Sequence, residues 1–466
     1  MPPNARLIPL IIASALFMEN MDSTVIATSL PAIAADLGTG PIVLKLAFTT
    51  YLLSLTVFIP ISGWLADRFG ARHVFRAAIA VFTLGSIACG LSVSLGWLVA
   101  ARAVQGIGGA MMVPVGRIIL LRSIPKSELV DAMAWLTIPA LIGPLLGPPI
   151  GGFITTFLSW RWIFWMNVPF GIAAIIFATA LMPEMEVEQV PPLDVKGFLL
   201  SGLGLSSLVF GLTIMGRDLL PGAMPLVLAF FGAVVLGFYL RHAKRTPQPI
   251  LDLRLLRIAT FRAGVVGGSL FRVGVGAIPF LIPLMFQLGF GLTAFQSGML
   301  SCAGALGAIS IKFPAARMIR HFGFRRLLLV NGVLASASIA ALGLLTPSTP
   351  AVMILAMLFL GGFTRSMQFT AMNAMSYADV ETAAMSHATS VYTVVQQLSL
   401  SAGVVLAAFV LETAQYLRSE TALHVTDFAI AFLIVALASL TAVWQFRELA
   451  GDAGSSVSGK TSRVLE

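Results

Sequence analysis

Charged side chains are scarce in this sequence. Asp, Glu, Lys and Arg make up 11% of its 466 residues, whereas hydrophobic residues make up 58% and the mean hydropathy is +0.94. Soluble globular domains carry roughly 25% charged residues. A chain of this length could form about three soluble domains, but it lacks the charge that would keep them in water. The composition therefore predicts an all-α polytopic membrane protein, in which each span needs about 20 apolar residues.

Residues for metal, redox or nucleotide chemistry are also few. The two cysteines, Cys89 and Cys302, lie far apart in apolar runs and form neither a metal motif nor a disulfide framework. The five histidines are scattered without an H-E-x-x-H pattern, and no Walker A sequence occurs. We therefore expect no cofactor, no metal site and no enzymatic activity, and we do not expect ATP to be the energy source. A membrane receptor that transports nothing is a less favoured alternative.

Apolar runs of span length recur along the whole chain. They predict six spans, then two more, then a second six, which gives fourteen in total. The predicted spans cover residues 7–35, 43–67, 74–94, 97–122, 129–157, 162–182, 197–215, 221–241, 263–288, 292–316, 326–346, 350–375, 384–411 and 426–447. We accordingly expect an N-terminal six-helix bundle (1–183), two extra helices with linkers (184–256), a C-terminal six-helix bundle (257–448) and a disordered cytoplasmic tail (449–466).

The basic residues, 29 against 20 acidic ones, support this count of spans. If the N-terminus is cytoplasmic, the inward loops hold clusters such as Arg68, Arg72 and Arg76, as the positive-inside rule requires. The outward loops then hold only Lys45, Arg161, Arg217 and Arg418. Topology in a bacterial inner membrane, with both termini in the cytoplasm, therefore explains the basic excess, and nucleic acid is not needed as a partner.

A short segment with cytoplasmic character occurs twice. Residues 63–73 read GWLADRFGARH, and a degenerate copy, ARMIRHFGFRR, spans residues 316–326, which is 253 positions later. Each copy follows the second helix of a six-helix set. Two halves related in this way place a substrate cavity at their interface near the bilayer midplane, with alternating access by rocking.

The first copy resembles the loop signature G-x-x-x-D-R-x-G-x-R of the major facilitator superfamily. The residues that carry the resemblance are Gly63, Asp67, Arg68, Gly70 and Arg72. Asp67 is suited to cap a helix N-terminus or to pair with an arginine, and the glycines are suited to a tight turn. The resemblance implies a major facilitator fold of two six-helix bundles, and a gating role for this cytoplasmic loop.

The fifth predicted helix carries a second pattern, GPLLGPPIGG, over residues 143–152. Three of its glycines share one helix face and permit close backbone approach, while the prolines bend the helix. The segment resembles the antiporter motif of exporting members of the family, although Ala134 stands where that motif has a further glycine. A general Gly/Pro packing helix is the alternative. The motif residues are Gly143, Gly147, Pro148, Gly151 and Gly152.

Four more segments resemble the fourteen-span drug:proton antiporters of the EmrB/QacA type. They are residues 22–31, 102–109, 159–169 and 249–254, and the resemblance extends over essentially all of residues 7–447. It implies a secondary active transporter that exports drug-like or amphiphilic small molecules in exchange for protons. We expect a monomer in the lipid bilayer. An exporter of one metabolite, or a symporter, is the alternative.

Few ionisable side chains lie at membrane depth, where they are costly and usually functional. Asp22 lies about 22 Å from the inner end of helix 1, and Arg102 about 8 Å from the outer end of helix 4. These depths nearly coincide in a core of roughly 30 Å, so the two side chains are expected to pair. Glu19 precedes Asp22 by one turn on the same face. Both acids interrupt the first apolar run, which argues against a cleaved signal peptide.

We assign proton coupling to Glu19, Asp22 and Arg102. Burial and a neighbouring like charge favour the protonated form of a carboxyl group, whereas an arginine favours the ionised form. A shift of Arg102 or the binding of substrate would therefore switch protonation. The alternative for Asp22 is a structural partnership with Arg102, and the role of Glu19 rests on its position alone.

Two arginines are candidates for the substrate cavity. Arg272 lies about 15 Å into helix 9, and Arg365 lies in helix 12 towards its inner side. They are suited to bind an anionic substrate group or to pair with Glu19, whereas cationic drugs would suit the acids of helix 1, and the sequence leaves this choice open. Neutral side chains could also line the substrate path, although hydrogen bonding between helices is their alternative role. These candidates are Gln105, Gln287, Asn373, Gln396 and Gln397.

Overall fold

The computed structural model describes residues 3–123, 129–184, 192–214, 223–381, 384–420 and 422–451. Within these ranges the backbone is almost entirely helical and contains no β-strand. The helices up to residue 250 are α1 (Pro3–Asp36), α2 (Lys45–Phe69), α3 (Ala71–Gly90), α4 (Leu95–Ser123), α5 (Leu129–Phe157), α6 (Trp162–Trp165), α7 (Asn167–Leu181), α8 (Val195–Thr213) and α9 (Met224–Arg245). A 3-10 turn, Pro41–Leu44, precedes α2.

The remaining helices begin with a 3-10 turn at Leu253–Arg257. They are α10 (Ala259–Arg262), α11 (Gly268–Leu284), α12 (Ala294–Ser310), α13 (Lys312–Phe322), α14 (Phe324–Leu342), α15 (Ala351–Ser376), α16 (Met385–Arg418) and α17 (Val425–Arg447). Two π-helical segments, Ala263–Gly267 and Met285–Gly289, flank α11 at its two ends. Such segments interrupt the regular backbone ladder and are frequent at functional sites.

Most of the predicted spans coincide with helices of sufficient length and apolar character. Among the described residues, twelve helical stretches are long and apolar enough to cross a membrane, and the bent pair α12–α13 gives a thirteenth. α5 has 29 residues and lies where the fifth span was predicted. The 49° bend between α12 and α13 coincides with Pro314, which removes a backbone donor from the first turn of α13. The prediction of an all-helical polytopic membrane fold is confirmed.

The repeated loop has the same backbone form in both copies. Gly70 separates α2 from α3 with φ of 87°, and Gly323, which is 253 positions later, separates α13 from α14 with φ of 75°. An L side chain rarely adopts such φ values, whereas glycine adopts them readily. The two copies are therefore structural as well as sequence equivalents.

The chain forms two compact units. The first contains Met1–Ile250 together with Thr293–Gly298, and the second contains Leu251–Leu292 and Met299–Glu466. The helices of the predicted central segment, α8 and α9, pack within the first unit: the rings of Phe58 on α2 and Phe198 on α8 lie 5.7 Å apart. In the second unit, a core of buried side chains from α11, α14, α15 and α17 includes Phe271, Leu328, Met367 and Phe446.

Candidate functional site

The predicted pairing of Asp22 with Arg102 is present in the first unit. Nη1 of Arg102 on α4 lies 2.6 Å from Oδ2 of Asp22 on α1, and both side chains are 1% exposed. Arg102 is further held by the ring of Tyr51 on α2, whose centroid lies 4.1 Å from Cζ. The cost of burying two charges is met here by a short ion pair and by further polar partners.

Two amide side chains complete the environment of Asp22. Gln105, one turn after Arg102, donates to Oδ1 of Asp22 at 2.8 Å and accepts from Arg102 at 2.6 Å. Asn167, the first residue of α7, donates to the same Oδ1 at 3.1 Å. Ser86 on α3 accepts from both amides, at 2.7 and 3.2 Å. The resulting network joins α1, α3, α4 and α7 around one carboxylate.

Gln105 therefore makes bonds between helices, which was one of the two roles left open for it. It is 0% exposed. Asn167 was not among the predicted site residues, although it belongs to the 159–169 segment that resembles the drug antiporters. Its position in that segment was the signal that could have identified it, because a polar residue inside an apolar span needs a partner.

Glu19 differs from Asp22 in lacking a compensating partner. Its side chain is half-buried, and its Oε2 atom is buried with no hydrogen-bond partner among the described residues. The two charges that act on it most are those of Asp22 and Arg117. Arg117 is an exposed residue of α4 that the depth argument did not single out, because it lies about 22 Å further along the helix than Arg102. The structure thus brings Glu19, Asp22 and Arg102 into one unit, with Glu19 as the unneutralised member.

The predicted antiporter motif packs α5 against α1. A Cβ on Gly147 would lie 2.0 Å from Oγ1 of Thr24, and a Cβ on Gly151 would lie 2.7 Å from the carbonyl oxygen of Val25. A Cβ on Gly143 would similarly lie 3.0 Å from Cβ of Asn20. The three glycines permit this close helix contact. Pro148 and Gly152 lie on a different face of α5, since 3.6 residues complete a turn.

The predicted gating loop contains two ion pairs. Asp67 accepts from Nη2 of Arg122, at the end of α4, over 2.8 Å. Arg72 lies 3.4 Å from Glu184 and also donates to the carbonyl oxygen of Thr179. Asp67 was expected either to cap a helix or to pair with an arginine, and in the structure it pairs with Arg122. Of the other predicted loop residues, Arg68 is exposed and Gly70 forms the turn. Gly63 is half-buried, and a Cβ added to it would meet no atom within 4 Å.

The substrate-cavity candidates of the second unit do not form one cluster. Arg272 on α11 is fully buried beside Tyr392, and Arg365 on α15 is half-buried near Gly304 and Gly361. The neutral candidates are dispersed: Gln287, Gln396 and Gln397 are half-buried and Asn373 is exposed. In the described part of the chain, no three His, Cys, Asp or Glu side chains are grouped so as to hold a metal ion.

Comparison with known proteins agrees with this architecture. The chain is 35% identical over 461 residues to "Putative multidrug resistance protein MdtD" of Escherichia fergusonii, covering 98% of this chain and 97% of that protein. It is 36% identical over 446 residues to the protein of the same name from Citrobacter koseri, covering 94% and 93%. The crystal structure of a D-xylose–proton symporter superposes with a TM-score of 0.68 at 13% identity, over 96% of this chain and 98% of the symporter.

The sequence also matches the profile of the Major Facilitator Superfamily over residues 12–404. This range includes both copies of the repeated loop, the Gly/Pro face of α5 and the Asp22–Arg102 network. The chain therefore belongs to the Major Facilitator Superfamily.

Proposed function

We propose that this protein exports drug-like or amphiphilic small molecules across the bacterial cytoplasmic membrane in exchange for protons. Relatives named for multidrug resistance support the substrate class and the direction. The observation that carries the proton-coupling part is that Oε2 of Glu19, one turn from the neutralised Asp22, has no hydrogen-bond partner among the described residues. A buried carboxylate without a hydrogen-bond partner is costly to keep ionised, so a proton is its natural ligand.

The two acids have different parts in the proposed mechanism. Glu19 takes up a proton when it is accessible from outside and releases it when it is accessible from the cytoplasm. Asp22 accepts from Arg102, Gln105 and Asn167, so its part is to hold α1 against α4 and α7 and to set the field around Glu19. Removing any of these donors would alter proton binding at Glu19 through Asp22.

The architecture that we propose is the fourteen-span EmrB/QacA type with both termini in the cytoplasm. A helix at each of the fourteen predicted positions supports the span count, and the basic clusters in alternate loops support the orientation. The Asp67–Arg122 pair would then lie on the cytoplasmic side. There it would serve as a latch that breaks and re-forms as access alternates.

The test is proton release on substrate binding, together with coupled transport. Purified protein in liposomes is supplied with ethidium, with tetraphenylphosphonium and with an aromatic carboxylate, and internal pH is followed. We expect Glu19→Gln to abolish proton movement while substrate still binds. Glu448→Gln changes an exposed glutamate just after α17 in the same way and should behave as wild type. Proton-coupled transport by Glu19→Gln at the wild-type rate would remove Glu19 from the mechanism.

A further inference from the structure

Arg272 is a buried cation without a carboxylate partner. It is 0% exposed. Its Nη2 donates to the hydroxyl of Tyr392, its Nη1 lies 3.5 Å from the carbonyl oxygen of Gly264, and its Nε has no hydrogen-bond partner. Gly264 belongs to the π-helical segment before α11, and the Tyr392 ring centroid lies 4.5 Å from Cζ of Arg272. Only neutral dipoles and aromatic rings therefore surround this positive charge in the part of the chain that the structure describes.

Arg365 is a second such cation. Its Nη1 atom is buried without a hydrogen-bond partner, and the side chain makes no ion pair with any described residue. Two glycines leave room for its guanidinium group: a Cβ on Gly361 would lie 2.7 Å from Nη1, and one on Gly304 would lie 3.7 Å from Nη2. The side chain is half-buried, so a ligand can reach it.

A comparison with Arg102 shows what Arg365 lacks. Both arginines precede a fully buried glutamine by three positions, Gln105 and Gln368 respectively. Arg102 has Asp22 at 2.6 Å. Gln368 instead bonds Asn331 and the α14 backbone, and Arg365 has no counter-ion among the residues that the structure describes. An uncompensated charge at low dielectric is unfavourable by several kcal/mol per ion.

The chain between Asp252 and Asp379 cannot supply a counter-ion to either arginine, because it contains no Asp or Glu. This interval contains α10 to α15. It includes a further cation, the exposed Lys312, whose Nζ bonds the neutral hydroxyl of Thr370 at 2.9 Å. Arg272 and Arg365 therefore have no counter-ion within α10 to α15.

One aromatic side chain lies beside Arg272 on the helix that carries Arg365. Phe369 follows Arg365 by one turn on α15, so the two side chains share a helix face. Cζ of Arg272 lies 5.7 Å from the Phe369 ring centroid. The helix that carries Arg365 therefore also places an aromatic, apolar surface beside the guanidinium group of Arg272.

We infer that Arg365, with Arg272 as a second positive charge, binds the carboxylate of an organic anion whose aromatic or apolar body packs on Phe369. This inference rests on the proposed transport function and specifies its substrate class. Arg365 is the ligand-binding member, since its buried Nη1 has no hydrogen-bond partner among the described residues. Arg272 is a positioning residue held by Tyr392.

Three probes with one aromatic body test this site: naphthalene-1-acetate, naphthalene-1-acetamide and 1-naphthylmethylammonium. Their binding to the purified full-length protein is measured by calorimetry. We expect the acetate to bind at least tenfold more tightly than the amide. Arg365→Gln should weaken acetate binding by roughly ten- to hundredfold, as expected for a lost charge-assisted hydrogen bond, and should leave amide binding unchanged.

Two further variants control for charge and folding. Arg365→Lys keeps the charge but loses the bidentate geometry, so its loss of acetate affinity should be smaller. Arg257→Gln removes an exposed arginine outside the spans and should match wild type. Arg365→Gln without ligand should melt no lower than wild type, because it removes an uncompensated charge; a lower melting temperature would indicate a structural role and contradict the inference.

The outcomes separate this inference from the proposed function. Proton-coupled movement of the ammonium probe alone, or equal acetate binding by wild type and Arg365→Gln, would overturn the anion site while leaving a proton-driven exporter. Arg365-dependent acetate binding without proton-coupled movement of any probe would support the anion site and overturn the exporter. No binding of the acetate would overturn the anion site.

Discussion

The amide nitrogen of Asn167 lies 3.1 Å from Oδ1 of Asp22, 145 positions earlier in the chain. The segment that contains Asn167 makes a second contact with α1, because Arg161 lies 2.8 Å from Asp36 at the end of that helix. Residues 159–169 thus hold α1 at two levels, one at the buried acid and one at its C-terminal end. We expect this arrangement to be necessary both for stability and for proton coupling.

Asn167→Ala should destabilise the first unit moderately. It removes one of three donors from Asp22, and the loss of a buried hydrogen bond to a charged group is typically about 1.5–3 kcal/mol. Thermal unfolding of the purified protein measures this, with Asn373→Ala at an exposed position of α15 as the matched control. An equal effect of both substitutions would contradict the proposed importance of the network.

Arg102→Met should be much more damaging than the double variant Asp22→Leu/Arg102→Met. The single change leaves the carboxylate of Asp22 buried and uncompensated, which typically costs about 3–5 kcal/mol. Replacing both partners removes the unpaired charge, so much of that stability should return. The thermal unfolding of the two variants and of Asp22→Leu completes a double-mutant cycle, and additive effects would mean that the pair is not coupled.

Gly151→Ala should weaken the contact between α5 and α1. The added methyl group would lie 2.7 Å from both Oγ1 of Thr28 and the carbonyl oxygen of Val25, so the helices must separate, at a typical cost of about 1–3 kcal/mol. Gly96→Ala in α4 has nothing within 4 Å of the new atom and controls for the change of residue type. Unfolding temperature and transport rate should fall for Gly151→Ala alone.

Asp67→Asn should change the transport rate more than the stability. The Asp67–Arg122 pair is partly solvated, with side chains 26% and 33% exposed, and such pairs contribute about 1 kcal/mol or less. If the pair is a latch, the exchange Asp67→Arg/Arg122→Asp should restore part of the rate lost in the single variants. A transport rate unaffected by Asp67→Asn would exclude the latch.

Elements that depend on composition and local pattern were predictable from the sequence. Membrane insertion and the positions of the helices follow from runs of apolar residues, because lipid forces each such run to satisfy its own backbone. The repeat at Gly70 and Gly323 was visible as a motif, and its positive φ follows from glycine. Even the pairing of Asp22 with Arg102 was accessible, since the rise per residue places both at one depth.

The remaining contacts depend on how each helix is rotated and which neighbours it meets. Hydropathy places Asn167, Gln105 and Arg117 along their helices, but it does not say towards which neighbour each side chain points. Only packing placed Asn167 against Asp22 and left Oε2 of Glu19 without a hydrogen-bond partner in the described part of the chain. Only packing put Arg272 against Tyr392 and gave Arg365 a glycine-lined space without a carboxylate. The sequence alone determined that few charges enter the membrane. The tertiary structure decided which of them are neutralised, because that depends on contacts between residues far apart in the chain, such as Asp22 and Arg102, which are 80 positions apart.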